Sequence, residues 1–206
     1  YIPSRLEEGY GLNPIAIRQL AGEGVGLIVT VDCGITALEE AKLCRELGVD
    51  LVITDHHECK ESLPQAVAVV DPHRPDGGYP HKDLSGVGVA FKLAAALSGS
   101  QETVLERYAD MLCLGTVADV MPLRGENRAF VARGLEMLKK TRRPGLAALI
   151  AESGCQPEKL TAASIGYVLA PRINAAGRMG KIGLAVELFL TQDPARGREV
   201  AAALCE

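Results

Sequence analysis

The chain has 206 residues, 48% of them hydrophobic, which is room for one domain or one and a half around a sizeable core. With no Trp, three Phe and five Tyr, that core has to be Val, Leu, Ile and Ala, the composition of a helix-covered parallel sheet. A net charge of −4 argues against a uniformly basic nucleic-acid binder, and neither a signal peptide nor an apolar run of membrane-spanning length is present, so a soluble cytoplasmic protein is expected.

Asn13-Pro14 is an N-cap followed by proline at the first helical position, which predicts a helix over 14–21 closed by Gly22 and Gly24. A short apolar strand over 26–32 follows, ending Val29-Thr30-Val31-Asp32. A helix over 36–47 carries the stripe Leu38, Ala41, Leu43 and Leu47, and beyond Gly48 a second strand over 49–54 ends at Asp55. Strand, helix, strand at this spacing is a crossover between parallel neighbours. A third strand over 66–70 ends at Asp71 and opens the Pro- and Gly-rich loop 72–80. From there the pattern is helical: 84–97, 102–114, 126–139, 144–152, 159–169, 183–190 and 194–205. The fold class is thus α/β, a Rossmann-like, mostly parallel sheet flanked by helices and followed by a helix-rich segment.

Charge is graded along the chain. Residues 1–60 hold 10 acidic and 5 basic side chains, whereas 120–145 hold 7 basic and 2 acidic. An acidic metal end and a basic later stretch suit a polyanionic substrate held beside divalent ions; a solvated Arg/Lys helix face explains the second half equally well. The six cysteines have no C-x-x-C spacing and read as small buried hydrophobes in a reducing compartment.

Asp32 and Asp55 stand at the carboxyl ends of two predicted parallel strands, the edge where open α/β sheets place ligands. Asp32 leads into the glycine turn Cys33-Gly34, and Asp55 is followed by His56 and His57. Imidazole with carboxylate and no thiolate is a ligand set for Mn²⁺, Fe²⁺ or Zn²⁺, and the carboxylate enrichment favours Mn²⁺ or Mg²⁺. Two such ions about 3.5–4 Å apart would activate water and neutralise a phosphate. In an extended chain adjacent side chains face opposite ways, so a metal-binding His56 would leave His57 to support it or to meet substrate. Asp119, in Gly115-Thr116-Val117-Ala118-Asp119, sits among apolar residues, where a cap, a buried salt bridge or a metal would satisfy its charge. Arg172, Asn174 and Arg178 surround small residues that permit close backbone approach, as a phosphate clamp requires; an ordinary interhelical loop is the alternative. His73 and His81 flank the Pro/Gly loop and could approach the same edge.

Taken in order, Val31-Asp32-Cys33-Gly34, Asp55-His56-His57-Glu58, Gly115-Thr116-Val117-Ala118-Asp119 and Arg172-Ile173-Asn174-Ala175-Ala176-Gly177-Arg178-Met179 closely resemble the DHH phosphoesterase family, and within it the exonucleases specific for single-stranded DNA. The opening from Ile2 to Leu12 and the segment from Leu84 to Lys92 extend the likeness nearly end to end. The resemblance implies that Asp32 bridges two metal ions, that His56 and Asp119 bind one of them, that Asp55 orients the neighbouring histidine and that His57 lies near the scissile phosphate. Arg172, Asn174 and Arg178 would contact substrate phosphate. It further implies Mn²⁺- or Mg²⁺-dependent 5′-to-3′ hydrolysis of single-stranded DNA in repair and recombination. Single-strand-binding protein and repair helicases would be partners through the full-length protein, with no membrane.

One departure counts. The family's Asp-x-Asp-Gly turn, which ends the sheet's first strand, is expected before Tyr1, and no Asp-x-Asp occurs in these residues. The two-metal centre should therefore be incomplete and this fragment weak or inactive. Residues 1–125 would be the central and later part of the DHH α/β domain, without its first strand, and 126–206 a helical continuation holding the phosphate motif and the start of a connecting helix. Other expected readings are a DHH phosphoesterase acting on short oligonucleotides, cyclic dinucleotides or pyrophosphate, and a non-catalytic nucleic-acid scaffold.

Overall fold

The structure, a computed structural model, describes residues 1–3, 8–178 and 180–206, with Arg178 in its backbone only. The expectations on Ser4 to Glu7 and on Met179 lie outside the described residues. The chain divides into an α/β unit, Glu8–Arg107 with Met121–Asn127, and a helical unit, Tyr1–Glu7, Tyr108–Val120 and Arg128–Glu206.

The α/β unit is built on three parallel strands in the order β1 (Leu27–Val31), β2 (Asp50–Thr54), β3 (Ala68–Val70). Helix α1 (Pro14–Gly22) starts where expected: Asn13 Oδ1 accepts the Ala16 N–H at 2.8 Å, a cap contributing about 1 kcal/mol. Helix α2 (Leu38–Glu46) supplies the crossover between β1 and β2. Ile17 of α1 and Ala41, Leu43 and Cys44 of α2 pack with Val49, Leu51 and Ile53 into one cluster, each large side chain contributing about 1.5–3 kcal/mol by its burial. Alternate residues of the strands point the other way, where Val29 and Val31 stay 45% and 51% exposed. Helix α3 (Gly86–Ser98) meets β1 and β2. It is capped by Ser85 Oγ on the Gly88 N–H and stopped by Gly99 at φ +71°.

The register matters most for the site. Val31 pairs with Thr54 and Thr54 with Val70, so the residue following each strand is an aspartate, Asp32, Asp55 and Asp71, in one row along the carboxyl edge. The ladder continues into that row, with Asp32 N–H donating to Thr54 O and Asp55 N–H to Val70 O, both at 3.0 Å.

Helices α4 (Gln101–Ala118) and α5 (Gly125–Leu138) are where the chain passes between the units. The helical unit continues with α6 (Pro144–Glu152), a 3-10 turn, α7 (Ala162–Ser164), a π-helical turn over Ile165–Leu169, α8 (Ala170–Arg178), α9 (Ile182–Leu190) and α10 (Pro194–Cys205). Glycines let its helices touch: a β-carbon on Gly145 would stand 2.0 Å from Leu188 O, and one on Gly197 within 2.9 Å of the Pro144 carbonyl carbon. Around these contacts Leu146, Leu149, Ile165, Leu188 and Val200 are almost fully buried.

Two expectations need correction. The helix predicted over 102–114 runs on to Ala118, and the stretch from 170, expected as a loop, is helical through Arg178. Pro171 is the reason for the second. It has no N–H to give, and the π-helical turn before it, where Ala170 N–H reaches Ile165 O, widens the helix enough to carry the proline. The cysteines are also less buried than expected: only Cys44 and Cys113 are buried, the other four partly exposed.

Candidate metal centre

Asp32 is held in the left-handed region at φ +65°, a strained conformation for a residue with a β-carbon. From there its Oδ1 faces His56 Nε2 at 3.0 Å. The imidazole is 7% exposed, and Asp32 Oδ1, itself shut off from solvent, has no hydrogen-bond donor aligned on it. The Asp32 side chain as a whole is 49% exposed, so the carboxylate is open to an incoming ligand while Oδ1 itself is turned inward toward the imidazole. One ligand atom from each of Asp32, His56 and His57 lies within 4.8 Å of the others. Carboxylate and imidazole donors at this spacing fit a divalent ion of the Mn²⁺, Fe²⁺ or Zn²⁺ kind.

The two histidines were expected to face apart. Residues 55–57 have left the strand, and their rings lie 4.5 Å apart, centroid to centroid, with His56 buried and His57 half exposed. The alternation rule fails because it holds only for extended backbone.

Asp55 is the organiser beneath them. It is 1% exposed; Oδ2 accepts the Ile35 N–H at 2.9 Å, and Oδ1 accepts the His56 N–H at 2.8 Å and pairs with His57 Nδ1 at 2.7 Å. Burial pushes its carboxyl up, but the Ile35 N–H, the His57 ring and the His56 N–H outweigh it and hold the pKa below the usual carboxylate value. An ionised Asp55 only accepts, so His57 Nδ1 carries the hydrogen of this contact and Nε2 points away from it. Cys33, next to Asp32, is pushed up to about 11 by burial and then by Asp55 and Asp32, which keeps it a thiol.

Asp71 completes the strand-end row at 7% exposure. Its Oδ1 accepts the His73 N–H at 2.7 Å, and His73 Nδ1 pairs with Glu58 at 3.2 Å. Burial raises the Asp71 carboxyl, opposed by the His73 N–H. The other loop histidine, His81, instead packs on Gly125, where a β-carbon would come within 2.9 Å of its ring.

Three features of the centre escape the sequence reading. Gly86 of α3 lies against the Asp32 carboxylate, Tyr10 donates to the Asp32 carbonyl at 2.5 Å, and the Ile35 N–H fixes Asp55. The glycine in Ser85-Gly86-Val87-Gly88 was the one visible signal.

The remaining predicted residues lie in the helical unit. Asp119 directly follows α4, its N–H still bonded to Gly115 O, and it is exposed rather than buried as expected; Val120 next to it stands at φ +58°. Asp32 and Val120 are the non-glycine residues with positive φ among those described, so both aspartate motifs carry backbone strain. In α8, positions 174 and 178 share a face one turn apart, while position 172 projects elsewhere. Arg172 Nη1 donates to Val168 O at 2.8 Å, its Nε is buried without a partner, and Asn174 is exposed.

A parallel α/β sheet with a carboxylate and two imidazoles gathered at its carboxyl edge is a candidate divalent-metal site on the ligand-binding edge of the sheet. The profile described as "DHH family, N-terminal domain" matches residues 1–116, and the chain belongs to this family. It is 46% identical to the single-stranded-DNA-specific exonuclease RecJ of Bacillus subtilis (strain 168), over 98% of this chain and 25% of that protein. Among solved structures, an exonuclease RecJ bound to manganese superposes with a TM-score of 0.86 at 38% identity, covering 99% of this chain and 51% of that one. RecJ of Thermus thermophilus in complex with Mn²⁺ gives 0.80 at 36% identity, covering 92% and 28%. The chain thus spans between a quarter and about half of the proteins it matches.

Proposed function

We propose that this chain is the metal-binding part of a single-stranded-DNA-specific exonuclease that works from the 5′ end with Mn²⁺ or Mg²⁺ and releases mononucleotides. The observation that carries the proposal is Asp32 Oδ1, buried and facing His56 Nε2 at 3.0 Å on the ligand-binding edge of the sheet. The names of these relatives, all RecJ exonucleases, and the manganese in two of their structures support it.

A bound divalent ion supplies Lewis-acid stabilisation of the phosphate and a water of lowered pKa. This chain's residues do the rest. Asp32 and His56 hold the ion, and Asp119 is a further ligand on the strength of the order of the family's motifs. Asp55 orients His57, whose Nε2, on a half-exposed ring lining a cleft of about 370 Å³, meets the scissile phosphate or its water. Arg172, Asn174 and Arg178 contact substrate phosphate, the two arginines supplying the positive charge. Residues 1–125 are the DHH part, although its segment 108–120 belongs to the helical unit, and 126–206 are the helical continuation. The full-length protein acts in the cytoplasm beside single-strand-binding protein and repair helicases; among the described residues no helix is long and apolar enough to cross a membrane.

The test is Mn²⁺-dependent release of nucleotides from 5′-phosphorylated single-stranded DNA, with this chain and with a protein extended upstream through an Asp-x-Asp strand. The longer protein should be active, its Asp32→Ala variant at least about 100-fold slower, and this chain weak or inactive. Undiminished turnover by the Asp32→Ala variant overturns the proposal.

A further inference from the structure

Tyr10 is an aromatic residue outside the core. Its side chain belongs to a residue 60% exposed, yet its hydroxyl crosses 22 positions of sequence to donate to the backbone carbonyl of Asp32 at 2.5 Å. That carbonyl belongs to a residue at φ +65°, a conformation that costs an L-residue about 1–2 kcal/mol. The edge of the same ring meets His57, centroids 6.4 Å apart and planes at 76°, and Tyr10 lines the cleft that His57, Gly34 and Asp55 also line.

We infer that Tyr10 is a positioning residue of the metal centre: its hydroxyl clasps the Asp32 carbonyl and so keeps the left-handed turn that aims the Asp32 carboxylate at His56. The inference rests on the metal reading given above. In extended backbone the carboxylate would follow the alternation of β1 and leave the row next to β2. The turn is strained; the ladder bond from Asp32 N–H to Thr54 O and the Thr30 hydroxyl donating to Cys33 O at 2.7 Å hold it on either side, and the Asp32 carbonyl between them takes a donor from a distant part of the chain. The Tyr10 hydroxyl is that donor, and its hydrogen bond opposes the strain of the turn. The ring packs edge-on against His57, so the hydroxyl is held in place and the clasp persists when the side chain is otherwise bathed in solvent.

Tyr10→Phe removes the hydroxyl and keeps the ring. The experiment titrates this chain with Mn²⁺ and follows the free ion by electron paramagnetic resonance, for the unmodified chain, Tyr10→Phe and Asp32→Asn. The carbonyl ¹³C resonance of Asp32 is recorded for the metal-free unmodified and Tyr10→Phe chains. The expected result is a roughly fivefold weaker Mn²⁺ dissociation constant in Tyr10→Phe, the equivalent of about 1 kcal/mol, with an upfield shift of the Asp32 carbonyl carbon and a melting temperature lowered by no more than about 2–4 °C. A purely structural role for the tyrosine would move the melting temperature and spare the metal affinity. Unchanged Mn²⁺ affinity in Tyr10→Phe overturns the inference while leaving the metal centre standing. If the unmodified chain binds Mn²⁺ no better than Asp32→Asn, the metal reading itself falls and the inference falls with it.

Discussion

A β-carbon on Gly86 would stand 2.2 Å from Asp32 Oδ1, so the first residue of α3 and the Asp32 carboxylate are packed as closely as a glycine allows. The helix start therefore serves as a stop for the Asp32 side chain, and the glycine is demanded by that approach, since its own backbone is helical.

Gly86→Ala tests this contact. In a helix alanine is normally better than glycine by up to about 1 kcal/mol, so a loss here must come from the clash. We expect destabilisation by about 1–3 kcal/mol in urea unfolding and Mn²⁺ binding weakened at least tenfold, with circular dichroism unchanged. Gly88→Ala, whose β-carbon would meet the flexible end of Leu84 at 3.3 Å, should spare the metal affinity.

Glu126 links α5 to the loop before α3. It takes hydrogen bonds from Tyr79 Oη and Lys92 Nζ. Burial pushes its carboxyl up, but Lys92 and Tyr79 prevail and the net pKa is lowered. A folded pKa below the unfolded value means that the stabilisation is fully present above the ordinary glutamate range and is lost as pH falls through the folded value. Glu126→Gln should therefore be less stable than the unmodified chain at pH 7, and the gap should close as pH falls below the ordinary glutamate range. Denaturant midpoints at a series of pH values measure it; a gap constant with pH would contradict the ion pair.

Asp110 is fully buried in the helical unit and bound by Arg143 Nε at 2.8 Å, with the guanidinium 5.6 Å from the Tyr108 ring centroid. Removing one partner strands the other, so Arg143→Ala should cost about 3–5 kcal/mol. Replacing both by apolar residues of similar size should recover most of that, as read by a double-mutant cycle in urea.

Much of this was legible in the sequence because it is written in local chemistry. Asn13-Pro14 and the apolar runs closing on Asp32 and Asp55 mark α1, β1 and β2 within one or two residues, since capping and strand patterning depend on neighbours. The clustering of Asp32 with His56 follows from parallel strands in register. What was hidden depends on partners distant in sequence or on a broken pattern. Tyr10 and Gly86 reach Asp32 across long stretches of chain. The run of helix across Pro171 relies on a π-helical turn whose bonding no periodicity announces. Asp119, set among apolar neighbours, is exposed because α4 ends just before it.

The central claim is that Asp32 and His56 hold a divalent cation, and thermal unfolding with and without saturating Mn²⁺ tests it most directly. An ion at 100 times its dissociation constant adds about 2.7 kcal/mol, which for a chain of this size raises the melting temperature by roughly 5–10 °C. The account predicts that rise in the unmodified chain and its absence in Asp32→Asn and His56→Ala. An equal rise in all three, or none in the unmodified chain, would contradict it.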